Sequence, residues 1–182
     1  MEYLDYNAPV ILSFFFISFI VLILNKITKD KANKLLFSNY RSSLLSPLTY
    51  IRMFTHIFGH QNWDHFMNNF LLILLVGPMM EEKYGSINIL IMILITAGLT
   101  GLLNMILSRN RITGASGIVF MLIVISSFVN ISNGKIPLTL ILVFVFYIIN
   151  EIISGIFKKD NVSHFAHIVG AICGVIFGFY FR

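Results

Sequence analysis

Apolar and polar positions alternate along this chain in long blocks rather than at short period. A membrane-crossing helix needs about 20 mostly apolar residues, and six blocks approach that length: 8–24, 62–80, 87–107, 115–131, 137–153 and 163–180. Between the first two, residues 25–61 are mixed. A basic stretch through Lys34 leads to Leu35, Leu36 and Phe37, then Ser42-Ser43, then the half-apolar run Leu44 to Thr55. This segment is too polar to span and too apolar for a bare linker, so it predicts short helices lying at the interface. The other junctions are brief: Glu81 to Ser86, Ser108 to Arg111, Asn133-Gly134-Lys135 and Gly155 to Val162. Asn62 is placed to cap the second helix, and Pro137 stands early in the fifth, where its missing N–H costs nothing.

The expected fold is therefore all-α, a six-helix membrane bundle in one domain over residues 1–182. Helices are forced, because in hydrocarbon every backbone polar group must be paired internally. Both termini fall on one side. Composition agrees: 57% of the 182 residues are hydrophobic and 12% charged, against about 25% charged in globular domains. The formal charge of +5 does not point to nucleic acid, because the basic residues sit in loops between apolar runs rather than in an aromatic-interleaved patch. It suits a protein meeting anionic lipid. One cysteine, Cys173, excludes an internal disulfide framework and a multi-cysteine metal site, and reads as a small buried hydrophobe. The acidic start (Glu2, Asp5) does not resemble a cleavable signal.

Against this background, polar residues inside apolar blocks stand out, since they are expensive there and usually functional. All five histidines fall in two places: His56, His60 and His65 at the second block, His164 and His167 at the sixth. Blocks two, four and six begin on the same side. His65, Asn69, Ser116 and His167 thus lie one to two turns deep from one face, by topology and a rise of about 1.5 Å per residue. Ser116 sits in Thr113-Gly114-Ala115-Ser116-Gly117, at the mouth of the fourth helix. It is a candidate nucleophile, and His167 is its candidate general base. Gly170, Gly174 and Gly178 form a bare stripe on the sixth helix, three residues beyond His167, that lets it pack closely on the fourth. Gly98 and Gly101 suggest a similar approach on the third. His65 and Asn69, four apart on one helical face, together with the Ser116 backbone N–H, are candidate oxyanion donors. Gly114 and Gly117 keep the surroundings of Ser116 uncrowded. Asp64 points about 100° away from His65, and Glu151 faces elsewhere, so a Ser–His dyad rather than a triad is expected. His56 and His60 lack the glutamate of H-E-x-x-H and are expected to hold their loop by hydrogen bonds. His164 is expected to cap or bond its own loop. No metal and no cofactor is expected.

These residues resemble the rhomboid family of intramembrane serine proteases. Gly114-Ala115-Ser116-Gly117 is similar to the family's G-x-S-G, and His65-Phe66-Met67-Asn68-Asn69 to its H-x-x-x-N. Ala166-His167-Ile168-Val169-Gly170 with Gly174 is similar to its A-H-x-x-G-x-x-x-G. Arg52 with His56 and His60 resembles the family's first loop, and Glu82 with Gly85-Ser86 its turn after the second span. The resemblance runs from about Tyr50 to Gly178. It implies Ser116 as nucleophile, His167 as base, and an oxyanion hole of His65, Asn69 and the Ser116 N–H. It also implies transmembrane-helix substrates cut near their outer end, lateral access between the second and fifth spans, and Gly155 to Val162 as a cap. The alternative is a catalytically silent rhomboid-like protein that binds membrane helices. A transporter would call for an inverted repeat or discontinuous helices, and an aspartyl protease for a G-x-G-D; the sequence offers neither. A multi-pass protein of the cell membrane is expected. The family's orientation places the active site toward the exterior. Yet ten of the thirteen Lys and Arg residues (Lys26, Lys29, Lys31, Lys34, Arg41, Arg52, Arg109, Arg111, Lys158, Lys159) lie on the active-site side, which by the positive-inside rule argues the reverse.

Overall fold

The computed structural model describes residues 5–108, 110–129, 138–149 and 164–181. Among them the chain is all-α: α1 (Pro9–Ile27), α2 (Lys31–Leu35), α3 (Pro47–Thr55) running into a 3₁₀ turn (His56–Phe58), α4 (Trp63–Tyr84), α5 (Ser86–Leu107), α6 (Ser116–Ser126), α7 (Leu138–Val143) continued by a π-helical stretch (Phe144–Ile149), and α8 (His164–Tyr180). One isolated antiparallel bridge joins Asn39 to Ile112. Among the described residues two helices are long and apolar enough to cross a membrane, α1 with 19 residues and α5 with 22. α6 and α8 are equally apolar but shorter. The ends of the fifth block (137 and 150–153), the 155–162 cap, the 133–135 turn, residues 130–131 and residue 163 lie outside the described residues.

α6 is the centre. Every residue from Gly117 to Ile125 is buried, enclosed by α8, α4 and α5. The α6–α8 pairing is the most extensive among the described residues, and the glycine stripe explains it. A Cβ at Gly170 would fall inside the Gly117 carbonyl, one at Gly174 would meet Met121 O at 2.7 Å, and one at Gly178 would strike the Phe128 ring. Side chains anywhere on that stripe would hold the helices apart. α4 approaches α1 in the same way at Gly77, where a Cβ would lie 2.7 Å from Ile11 Cδ1. The glycines of α5 admit a short helix rather than another long one: Gly98 faces the Phe54 ring and Gly101 the Met53 backbone, both on α3.

Three boundaries differ from the sequence reading. α1 runs on past 24 to Ile27. There its Asn25 side chain is buried, accepting from Asn33 N at 3.2 Å and donating to His60 O at 3.4 Å, so a polar residue ties the helix end to the loop instead of ending the helix. α4 does not stop near 80. Glu81 to Tyr84 form its last turn, and the break falls at Gly85, with φ +81°. The reason is Glu81, which accepts Val10 N–H at 3.0 Å and Ile11 N–H at 2.9 Å. A run with three charged residues that reads as a loop is a helical turn whose carboxylate caps another helix, where the dipole favours a negative charge. α6 ends at Ser126 rather than 131. Ser126 Oγ bonds Ile123 O at 2.7 Å and Ser127 Oγ bonds the same carbonyl at 3.4 Å, and such side-chain competition weakens a helix end.

The 25–61 segment contains the short helices expected of it and clamps the site from above. Asn33 Nδ2 donates to His60 O at 3.0 Å, Arg52 Nε to Leu35 O at 3.0 Å, and Arg41 Nε to Met105 O at 3.0 Å at the C-terminal end of α5. The loop that follows α5 is fastened to it: Asn39 and Ile112 exchange both backbone bonds at 2.9 Å, Asn104 Nδ2 reaches Asn39 Oδ1 at 3.0 Å, and Thr113 Oγ1 donates to Phe37 O at 2.9 Å. Irregular backbone at this position is tolerable because its polar groups are paired inside protein.

Candidate active site

Ser116 is the first residue of α6 and is half-buried. The chain reaches it through Gly114, whose φ of +115° is one that residues with a Cβ rarely adopt. Glycine is required here for a second reason. A Cβ would stand 2.6 Å from His65 Nε2 and 3.5 Å from Asn69 Nδ2. Gly114 N–H donates to His56 O at 3.0 Å, which fixes this turn against the 3₁₀ turn that follows α3. The first four N–H groups of a helix have no intrahelical partner, so the start of α6 presents donors and the positive end of its dipole.

His65 and Asn69 come from the first two turns of α4. Asn62 caps that helix by accepting His65 N–H at 2.8 Å, as its sequence position suggests, and this sets the register that turns residues 65 and 69 to one side. The His65 ring is half-buried against His60, with centroids 5.1 Å apart. Asn69 is 6% exposed, and its Nδ2 donates to no group among the described residues. Buried donors are paired in the great majority of cases, so this one is poised for an acceptor that approaches beside Gly114.

His167 stands in the first turn of α8, 8% exposed, with its ring stacked on Phe120 at 4.4 Å and 11°. Phe120 is one turn along α6 from Ser116, so the imidazole lies over the turn that Ser116 begins. His167 is also near enough to His65 for their charges to interact. The close approach behind this is Gly117 against Ala166 O, where even a Cβ would sit at 3.2 Å, and Gly170 against Gly117. Gly117 and Gly170 thus serve the helix contact itself, whereas Gly114 serves the side chains of α4. His164 lies edge-on to His167 at 6.2 Å. The structure therefore gathers Ser116, His65, Asn69 and His167, with Gly114, Gly117 and Gly170, around one helix mouth, while Gly174 packs deeper, against Met121 and Val124.

Three contributors are not evident from the sequence pattern. Phe120 supports the His167 ring; its place four residues after Ser116 is the signal that could have exposed it. Thr96 and Thr100 on α5, with His56, line a small cavity beside Ser116 of about 10 Å³, enough for about one water; the buried Thr100 hydroxyl has no partner among the described residues, whereas Thr96 bonds the Cys173 side chain. Nothing in an apolar helix containing threonine marks those two out. His56 and His60 act as hydrogen-bonding loop residues: His56 Nδ1 faces Arg52 O at 3.2 Å and Met53 O at 3.1 Å, and His60 Nδ1 faces Phe58 O at 3.2 Å. Burial pushes the His56 imidazole down to about 4, against the pull of its two carbonyls. Burial and the neighbouring His65 push His60 down to about 3. Both are neutral at pH 7.

Comparison with known proteins adds the following. The sequence profile of the Rhomboid domain matches residues 47–182. The chain is similar to Rhomboid-like protein 11, chloroplastic, of Arabidopsis thaliana, 29% identical over 137 residues covering 67% of this chain and 49% of that protein. It is similar to Rhomboid-related protein 1 of Caenorhabditis elegans, 31% identical over 144 residues, 70% of this chain and 39% of that protein. RHOMBOID-like protein 1 of Arabidopsis thaliana is 29% identical over 134 residues, with coverage of 71% and 34%. The chain spans from about a third to about half the length of these relatives.

Proposed function

The chain belongs to the rhomboid family, and from that premise we propose that it is an intramembrane serine endopeptidase working through a Ser116–His167 dyad on transmembrane-helix substrates. Six spans in one domain hold the site within the bilayer of the cell membrane. α6 supports this depth: its 11 residues extend about 16 Å at 1.5 Å per residue, roughly half of a hydrocarbon core about 30 Å thick. A serine opening so short a helix lies below the membrane surface when the other end reaches the far side.

In the proposed reaction His167 accepts the Ser116 hydroxyl proton as Oγ attacks the scissile carbonyl carbon. The carbonyl oxygen becomes an oxyanion, met by Asn69 Nδ2, the His65 imidazole and the Ser116 backbone N–H. As the tetrahedral intermediate collapses, the C–N bond breaks and His167 returns the proton to the leaving amine. An acyl-enzyme on Ser116 remains. Water, deprotonated by His167, then releases the second product and restores the serine. His167 hands that last proton back to Ser116 Oγ, and the Phe120 face holds the imidazole ring in place through all four proton transfers.

The single observation that carries this reading is the buried, undonated amide of Asn69 converging with His65 on Gly114. An orphan donor of this kind costs about 1–3 kcal/mol in a merely structural setting. A fluorophosphonate bearing a reporter tests the proposal. The intact protein labels and cleaves a helical substrate, and Ser116→Ala and His167→Ala do neither. An intact protein that neither labels nor cleaves is instead the silent helix-binding relative.

A further inference from the structure

Away from the helix mouth, a groove of about 590 Å³ runs between the last turns of α1 and the start of α4. Its floor is apolar, formed by Phe19, Leu22, Ile23 and Trp63, and its upper rim carries Lys26 and Lys29. Phe19 and Trp63 meet edge to face at 6.2 Å, so the floor is continuous across the two helices. Asp30 also borders the groove, but its carboxylate is occupied: Arg111 Nη1 and Nη2 donate to it at 3.1 and 3.2 Å, and Lys34 Nζ lies at 3.6 Å. Lys26 and Lys29 have no ion-pair partner among the described residues.

The backbone beneath Lys29 adds an independent observation. α1 ends in a Schellman motif, with Asp30 N–H bonded to Asn25 O at 3.0 Å and Lys29 N–H to Lys26 O at 3.3 Å. The residue that closes this motif is left-handed and is usually glycine. Here it is Lys29, at φ +50°, followed by a second left-handed residue, Asp30, at φ +69°. The fold accepts strain and in return sets a lysine side chain at the rim of the groove.

We infer that this groove binds an anionic phospholipid, its phosphate held by Lys26 and Lys29 and one acyl chain lying along Phe19, Leu22, Ile23 and Trp63. The order of chemistry along α1 matches such a molecule. The lysines stand at the end of a span, where headgroups lie, and the apolar floor begins one turn deeper. Trp63, 54% exposed, occupies the interfacial level that tryptophan favours. The inference rests on the membrane embedding of α1 and not on the protease reading, and its test needs no activity.

Trp63 is the one tryptophan of the chain, so tryptophan fluorescence reports from this groove alone. The full chain is reconstituted in phosphatidylcholine bilayers containing increasing fractions of phosphatidylglycerol or phosphatidylcholine with brominated acyl chains. Brominated phosphatidylglycerol should quench Trp63 at lower mole fraction, with a relative affinity raised by about fivefold per lysine. Lys26→Gln combined with Lys29→Gly should bring the two lipids level, and Lys83→Gln, at the far end of α4, should not. Lys29→Gly alone should halve the logarithm of the preference while raising the thermal midpoint, because glycine relieves the left-handed strain; this separates lost binding from lost folding. Equal quenching by both lipids, no quenching by either, a preference that survives the double substitution, or an equal loss with Lys83→Gln would each overturn the inference.

Discussion

The Asn69 amide is nearly enclosed yet donates to no described group, which separates its contribution to catalysis from its contribution to folding. Asn69→Ala should lower cleavage by roughly 100- to 1000-fold, the cost of one oxyanion donor, with little change in the thermal midpoint in detergent. A midpoint that collapses along with activity would make Asn69 a structural residue. Gly114→Ala is a sharper perturbation, because it meets both a positive φ and His65 Nε2 at 2.6 Å. Fluorophosphonate labelling should fall in this variant even though the substitution adds one methyl group. At this scale the convergence of Ser116, His65, Asn69 and His167 was legible in the sequence. Helical period and an alternating topology fix side and depth without any knowledge of packing. Phe120, Thr96 and Thr100 were not legible: each is an ordinary residue of an apolar helix until the neighbouring helix is placed against it.

Among the helices, the consequential surface is the one between α6 and α8. Two glycine substitutions separate spacing from backbone strain. A Cβ at Gly170 has nowhere to go, because the Gly117 carbonyl already occupies the position. Gly170→Ala should therefore destabilise by about 1–3 kcal/mol through overpacking and abolish labelling, since α8 carries His167. Gly85 faces open space but has φ +81° and ψ 150°, so Gly85→Ala should cost about 1–3 kcal/mol of strain while the folded fraction still labels. Thermal unfolding and labelling measured on both variants check the pair; loss of labelling in Gly85→Ala below its midpoint would contradict it. The glycine stripe on α8 could be read from its spacing of four. The ends of α4 and α6 could not. They are set by a carboxylate reaching another helix and by serine hydroxyls competing for one carbonyl, and neither leaves a mark in hydropathy.

For the molecule as a whole, His56 and His60 make stability depend on acid. Their imidazoles are neutral when folded, down to about 4 and about 3, whereas in the unfolded chain they take up protons below about 6.5. Between those values the unfolded state binds more protons, so stability is fully present above about pH 6.5 and is lost as pH falls below it, by up to about 1.4 kcal/mol per unit for each histidine. Denaturation midpoints measured from pH 7.5 down to 4.5 should show this slope, and His60→Phe should reduce it by about half; a level profile would refute the assignment. The orientation in the membrane is a second prediction at this scale. With the family's orientation, a compartment-sensitive reporter fused to the C-terminus signals from the cytoplasm, and a signal only from the exterior reverses it. Glu81 carries a consequence in time rather than in space. It caps the first turn of α1 from 70 and 71 positions further along the chain. At synthesis rates of about 5–20 residues per second, α1 leaves the ribosome roughly 4–14 s before the carboxylate that secures it. For that interval the first turn of α1 lacks its cap, while Asn33 and His60, made earlier than Glu81, can already tie down its far end, and a Glu81→Gln chain would meet its loss first as a defect of biogenesis rather than of the finished protein.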